Sequence, residues 1–121
     1  MEEYRDQFLF IQQRPDDYFV FVVVDEAIGQ VVGCCSLLVE RKFIRQCGLV
    51  GHIEDVCVKS TKRGIRLGKH LVTFCHRLAS QLGCYKAILD CKEEMVPFYQ
   101  KCGLSPAGVQ MSTYFAPTKG K

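Results

Sequence analysis

One stretch, His52 to Gly83, limits the folds open to this chain more than any other. His52 to Val58 is apolar and β-branched enough to read as a strand. Lys59 to Gly64 follows as a loop with three cations, Lys59, Lys62 and Arg63. Leu67, Leu71, Phe74, Cys75, Leu78 and Leu82 then recur at helical spacing, with Gly83 placed to end the helix. A strand that enters a helix through a basic glycine turn aims backbone N–H groups and a helix dipole at one point, which suits a pyrophosphate. The glycines of Arg63-Gly64-Ile65-Arg66-Leu67-Gly68-Lys69 match neither a P-loop nor the dinucleotide fingerprint. Taken alone, the stretch also reads as an ordinary helix cap with solvated charge.

The flanking segments supply the remaining elements. Tyr4, Phe8 and Ile11 have helical spacing within Glu2 to Gln13, and Pro15 stops that helix. Tyr18 to Val24 and Gln30 to Glu40 read as strands of an antiparallel hairpin, turning at Asp25 to Gly29. Their apolar character predicts burial on both faces. Arg41 to Gly51 reads as a polar, cationic connection. Beyond the long helix, Tyr85 to Cys91 is a strand and Glu93 to Cys102 a short helix ended by Gly103. Pro97 fits that helix only in its first turn. Gly108 to Phe115 reads as a last strand, and Ala116 to Lys121 is expected to fray. The order is α-β-β-β-α-β-α-β.

A length of 121 residues fits one domain, spanning residues 1–121. A net charge of +3 is too small to predict nucleic-acid binding but suits an anionic small molecule. The longest apolar stretch, Tyr18 to Val24, is far short of the roughly 20 residues of a membrane span. The acidic start Met1-Glu2-Glu3-Tyr4 lacks the features of a signal peptide, so we expect a cytoplasmic protein. The eight cysteines form no C-x-x-C pair, and several sit inside apolar runs. We expect them reduced, mostly buried, and not bound to metal.

With these pieces in order, the chain resembles the GNAT superfamily. The cofactor loop of that family reads Gln/Arg-x-x-Gly-x-Gly/Ala, and Arg63 and Gly68 match its first and last positions, with Arg66 in place of the central glycine. The glucosamine-6-phosphate N-acetyltransferases often lack that glycine too. Further stretches are similar to that subfamily: Tyr18-Phe19 with Val22 to Asp25, Glu40 to Ile44, Gly51 to Val56, Leu82 to Lys86, Leu89-Asp90-Cys91 and Phe98 to Gly103. The resemblance implies an α/β (α+β) GNAT fold, with a mixed, mostly antiparallel sheet flanked by helices. It implies direct transfer of acetyl from acetyl-CoA to the amine of glucosamine 6-phosphate, giving N-acetylglucosamine 6-phosphate on the route to UDP-GlcNAc.

The resemblance also assigns residues. Backbone amides of the central strand would polarise the thioester carbonyl, with Glu54, Asp55 and Val56 at the sugar and acetyl group. Burying two adjacent acids unpaired in an apolar strand would be costly, which makes a purely structural role for Glu54 and Asp55 less comfortable. Val56, Cys57 and Val58, then Arg63, Gly64, Ile65, Arg66, Leu67, Gly68 and Lys69, would hold coenzyme A. Tyr99 would face its sulfur, where a phenol of pKa about 10 can protonate a thiolate of pKa about 8.5. Asp90 would stand near the substrate amine. Lys42, Phe43, Ile44 and Arg45 resemble the loop that receives the sugar phosphate, and two cations suit a dianion. Tyr85 and Lys86 match positions that complete the sugar site across a homodimer interface. No covalent acetyl-enzyme is implied, and His52, His70 and His76 read as surface or satisfied structural residues.

Three departures stand against this pattern. The family has a further strand and helix ahead of the position of Met1, part of the sugar site, without which an edge strand and apolar surface would be exposed. Met95 replaces an Asn that caps the last helix and contacts the pantetheine arm. Tyr114 replaces an Arg that helps bind the sugar phosphate. They keep open a GNAT-fold protein that binds coenzyme A or dimerises without turnover. An enzyme for another amine is a third reading, against which Lys42, Tyr85 and Lys86 speak.

Overall fold

The computed structural model describes residues 1–64 and 66–117. Ile65 and the tail 118–121, where fraying was expected, lie outside the described residues. The chain divides into two compact units, one ending at Leu89 and the other beginning at Asp90, and each is described by itself.

The first unit holds helix α1 (Glu2–Gln12), strands β1 (Tyr18–Asp25) and β2 (Gln30–Arg41), a single turn α2 (Ile44–Cys47), strand β3 (Leu49–Val58), helix α3 (Leu67–Gln81) and strand β4 (Cys84–Ile88). The strands lie side by side in chain order. β1–β2 and β2–β3 are antiparallel, and β3–β4 is parallel, as the α3 crossover requires. The sheet is thus mixed and mostly antiparallel.

Helix α3 packs on one face of this sheet. Its buried stripe is Leu71, Val72, Cys75 and Ala79. Leu71 and Cys75 were expected there, whereas Phe74 and Leu82 of the expected stripe are 51% and 37% exposed, so the buried face is rotated towards Val72 and Ala79. From β2, Cys35, Leu37 and Val39 are buried, and from β3, Ile53. Each such aliphatic side chain contributes on the order of 1.5–3 kcal/mol by leaving water. Gly51 lets the layers close: a Cβ there would sit 2.9 Å from that of Ala79. Phe21 meets Phe74 edge to face at 4.8 Å, joining β1 to the helix. Gly83, at φ +90°, ends the helix as expected.

Several expectations need correction. Burial on both faces fails for β1, where Val20, Val22 and Val24 are 58%, 56% and 49% exposed. Alternation sends Phe19 and Phe21 to one face and these valines to the other. β3 starts at Leu49 rather than His52, because Glu40 and Arg41 carry the β2 ladder on to Val50 and Leu49. β4 ends at Ile88 rather than Cys91, since its parallel partner stretch on β3 is only Leu49 to His52. The cysteines are free, but only Cys35, Cys75 and Cys102 are buried, while Cys47, Cys57 and Cys91 are exposed. Cys57 sits on an outward stretch of β3 and Cys91 lies beyond the end of β4.

In the second unit, a 3₁₀ turn (Glu93–Met95) leads into helix α4 (Val96–Lys101), with Pro97 in the first turn as predicted. Gly103 at φ +96° ends it. Gly108 to Phe115 is not a strand. A strand exists through its ladder, and this unit holds no described strand to pair with it. Among the described residues, no helix is long and apolar enough to cross a membrane.

Candidate active site

The central strand breaks its own ladder at the point of interest. Ser36 faces Glu54 and Cys34 faces Cys57, so Asp55 and Val56 together oppose Cys35. This is a β-bulge, with Asp55 in the left-handed region at φ +54°. The Cys34 thiol donates to the Asp55 carbonyl at 3.5 Å. On its other edge, β3 pairs with β4 only as far as His52. Beyond that point, Ile53 to Val58 has no ladder partner on that edge among the described residues. Bulge and open edge together leave main-chain groups for a carbonyl or amide to engage. Glu54 and Asp55 are exposed rather than enclosed, so no burial cost falls on them. Val56 and Val58 are half-buried and Cys57 exposed.

Next along the chain, the basic turn sorts its cations. Lys59 bonds the Gln30 amide oxygen at 2.7 Å, and Lys62 pairs with Asp25 at 2.8 Å, holding that carboxyl below its ordinary value. Both lysines therefore pin the turn to the hairpin. Arg63, Arg66 and Lys69 have no ion pair among the described residues. Gly64, at φ +92°, has nothing within 4 Å of where a Cβ would stand. Arg66, at φ +62°, occupies the N-cap of α3 with no side-chain cap, and Leu67, Gly68 and Lys69 form the uncapped first turn. Unpaired N–H groups, a helix dipole and three unpaired cations make this a place for an anion. The predicted contact Ile65 lies outside the described residues.

A second cluster forms at the other end of β3. The Arg45 guanidinium stands 5.3 Å over the Tyr85 ring, and Lys86 Nζ lies 5.8 Å from the same ring. Gly48 underlies that ring, since a Cβ there would come within 2.7 Å of it. Lys42 pairs with Glu40 at 3.1 Å, and Glu40 also takes a bond from His52 Nε2 at 2.8 Å. These partners, His52 first, hold the Glu40 carboxyl below its ordinary value. Phe43 is 95% exposed and Ile44 63%. The Glu40–His52 link escaped sequence reading, because the register that places them together depends on the early start of β3. The structure brings Lys42 to Arg45 together with Tyr85 and Lys86. It does not bring them to Glu54 and Asp55: from Leu49 to Asp55 the strand runs roughly 20 Å.

In the second unit, Asp90 is exposed and accepts a bond from the Gln110 side chain at 3.0 Å. Tyr99 sits in α4 with its ring edge-on to Phe98 at 4.9 Å. Met95 caps α4 without a side-chain bond, consistent with its apolar nature. Tyr114 is 94% exposed.

This layout meets a family defined independently of it. The model of the acetyltransferase (GNAT) family matches residues 1–104, and the chain belongs to that family. A glucosamine 6-phosphate N-acetyltransferase of Dictyostelium discoideum is 46% identical over 120 residues, covering 99% of this chain and 76% of the relative. One from Arabidopsis thaliana is 45% identical over 114 residues, 94% of this chain and 76% of the relative. The crystal structure of glucosamine-6-phosphate N-acetyltransferase from Arabidopsis thaliana superposes with a TM-score of 0.91 at 44% identity, covering 95% of this chain and 78% of that one. Within the GNAT family, the chain falls among the glucosamine 6-phosphate N-acetyltransferases.

Proposed function

We propose that this chain acetylates the amine of glucosamine 6-phosphate with acetyl-CoA, by direct transfer while both are bound. The observation that carries the reading is the Asp55–Val56 bulge beside an open strand edge, one short turn ahead of an uncapped, cationic helix start. The fit to coenzyme A rests on the same features. Arg63, Arg66 and Lys69 would neutralise its phosphates, Gly64 and the first N–H groups of α3 would approach the pyrophosphate, and Val56 to Val58 would align the pantetheine arm. Main-chain N–H groups at the bulge would polarise the thioester carbonyl, a contribution worth several kcal/mol when donors are fixed in advance. Tyr99 would donate a proton to the departing thiolate, and Asp90 would orient the attacking amine. In this reading, residues 1–121 act as one transferase domain.

The sugar phosphate belongs to the cationic cluster of Lys42, Arg45 and Lys86 beside Tyr85. Its roughly 20 Å separation from the bulge supports a homodimer, in which a second copy delivers this cluster to the acetyl site. The exposed Val109, Met111, Tyr114 and Phe115 are apolar surface suited to such pairing. Free thiols on the surface fit a reducing, cytosolic location.

The test is formation of N-acetylglucosamine 6-phosphate from acetyl-CoA by this chain, followed by mass spectrometry. Product that requires both substrates supports the reading. Binding of acetyl-CoA without product would instead support a cofactor-binding protein without turnover, a reading favoured by the uncapped Met95 start of α4.

A further inference from the structure

Two thiols face each other where the active strand is weakest. Cys34 and Cys57 are direct partners across the β2–β3 ladder, one position from the bulge. Facing residues of an antiparallel pair have Cα atoms about 4.5–5.5 Å apart, inside the roughly 4.4–6.8 Å window of disulfides. Cys57 is exposed and Cys34 half-buried, on the sheet face opposite α3. Burial and then the neighbouring Cys57 raise the Cys34 thiol above its ordinary value. The two sulfurs are therefore close enough to influence each other. The only other cysteine pair at contact among the described residues is Cys35–Cys75, with sulfurs 3.1 Å apart. Both of those residues are fully buried, out of reach of a dissolved oxidant.

We propose that Cys34 and Cys57 form a peroxide-sensitive modification site that closes to a cross-strand disulfide beside the bulge. The exposed Cys57 thiolate attacks the peroxide O–O bond, giving a sulfenic acid and, with one proton, water. The Cys34 thiol displaces the sulfenic oxygen as a second water, leaving the S–S bond. Two thiols are oxidised and one peroxide is reduced. The reaction removes the S–H that Cys34 donates to the Asp55 carbonyl, so the left-handed Asp55 loses the bond that holds the bulge. The effect on turnover rests on the transferase reading given above, whereas formation of the disulfide does not.

The experiment exposes the full chain to hydrogen peroxide, then blocks free thiols and maps the products by tandem mass spectrometry that separates Cys34 from Cys35. The expected result is loss of two hydrogens, a Cys34–Cys57 cross-link, and turnover reduced roughly a hundredfold, the scale of losing one oxyanion donor. Dithiothreitol restores both mass and activity. Cys34→Ser, checked for folding by circular dichroism, shows neither the cross-link nor any peroxide-dependent, dithiothreitol-reversible change relative to its own untreated turnover. A Cys35–Cys75 cross-link instead, or Cys57 oxidised without joining Cys34, overturns the proposal. A Cys34–Cys57 cross-link that leaves turnover unchanged overturns its coupling to the bulge. Because the mapping needs no turnover, an inactive chain still tests the disulfide.

Discussion

Asp55 is an aspartate held at φ +54°, a conformation that costs most L-residues energy and glycine almost none. Asp55→Gly is therefore expected to leave stability unchanged or raise it by about 0.5–1 kcal/mol, whereas Asp55→Val should lower it by roughly 1–3 kcal/mol. Urea denaturation midpoints of the two variants measure this, and a stable Asp55→Val would contradict the bulge. Tyr99→Phe removes only the phenolic oxygen. If that group protonates the thiolate, kcat drops on the order of a hundredfold while KM for acetyl-CoA holds. An unchanged kcat would sink the role. Glu40 gives a pH prediction. His52 and Lys42 depress its carboxyl below the ordinary 4.5, so the folded chain takes up that proton less readily than the unfolded chain. Its contribution to stability is present above about pH 4.5 and is lost as pH falls through the lower folded value. Glu40→Gln should flatten the acid limb of a stability–pH curve and leave its slope near neutral pH unchanged.

At the scale of elements, the α3 start shows a compromise between local strain and ligand charge. Arg66 occupies a left-handed N-cap where glycine would fit without strain, yet its guanidinium is one of three unpaired cations of the turn. Arg66→Gly should raise the melting temperature, by about 0.5–1 kcal/mol of stability, and at the same time raise KM for acetyl-CoA. Thermal melts and initial rates read the two effects separately. Other element features were legible in advance. Helix α3 and its Gly83 end followed from 3.6-residue spacing, the hairpin from its turn residues, and the Pro97 and Gly103 limits of α4 from backbone chemistry. The errors fell where pairing outranks composition. Arg41 to Gly51 is polar and glycine-containing, yet the ladder runs through Leu49 to Gly51. Gly108 to Phe115 has strand composition, yet it meets no ladder.

For the whole molecule, the decisive prediction concerns association. If a second copy completes the sugar site, sedimentation velocity should show a dimer at working concentrations. Charges placed on the exposed apolar tail, as in Val109→Asp with Phe115→Asp, should yield monomer and abolish turnover while preserving the α3–sheet core. A fully active monomer would refute the shared site. Tyr85 and Lys86 bear on the same question, because they join Arg45 at the end of the sheet away from the bulge.

The sequence alone determined the family, the elements from α1 to α4, the existence and end of α3 and the basic turn ahead of it. Those features depend on spacing, side-chain volume and charge along a continuous chain. It could not reveal the bulge at Asp55, the facing of Cys34 and Cys57, or the division of loop cations into pinned lysines and unpaired Arg63, Arg66 and Lys69. Each of these depends on strand register, and a shift of one residue in register moves every side chain to the other face. Register is set by how the sheet closes on α3, which only the tertiary structure decides.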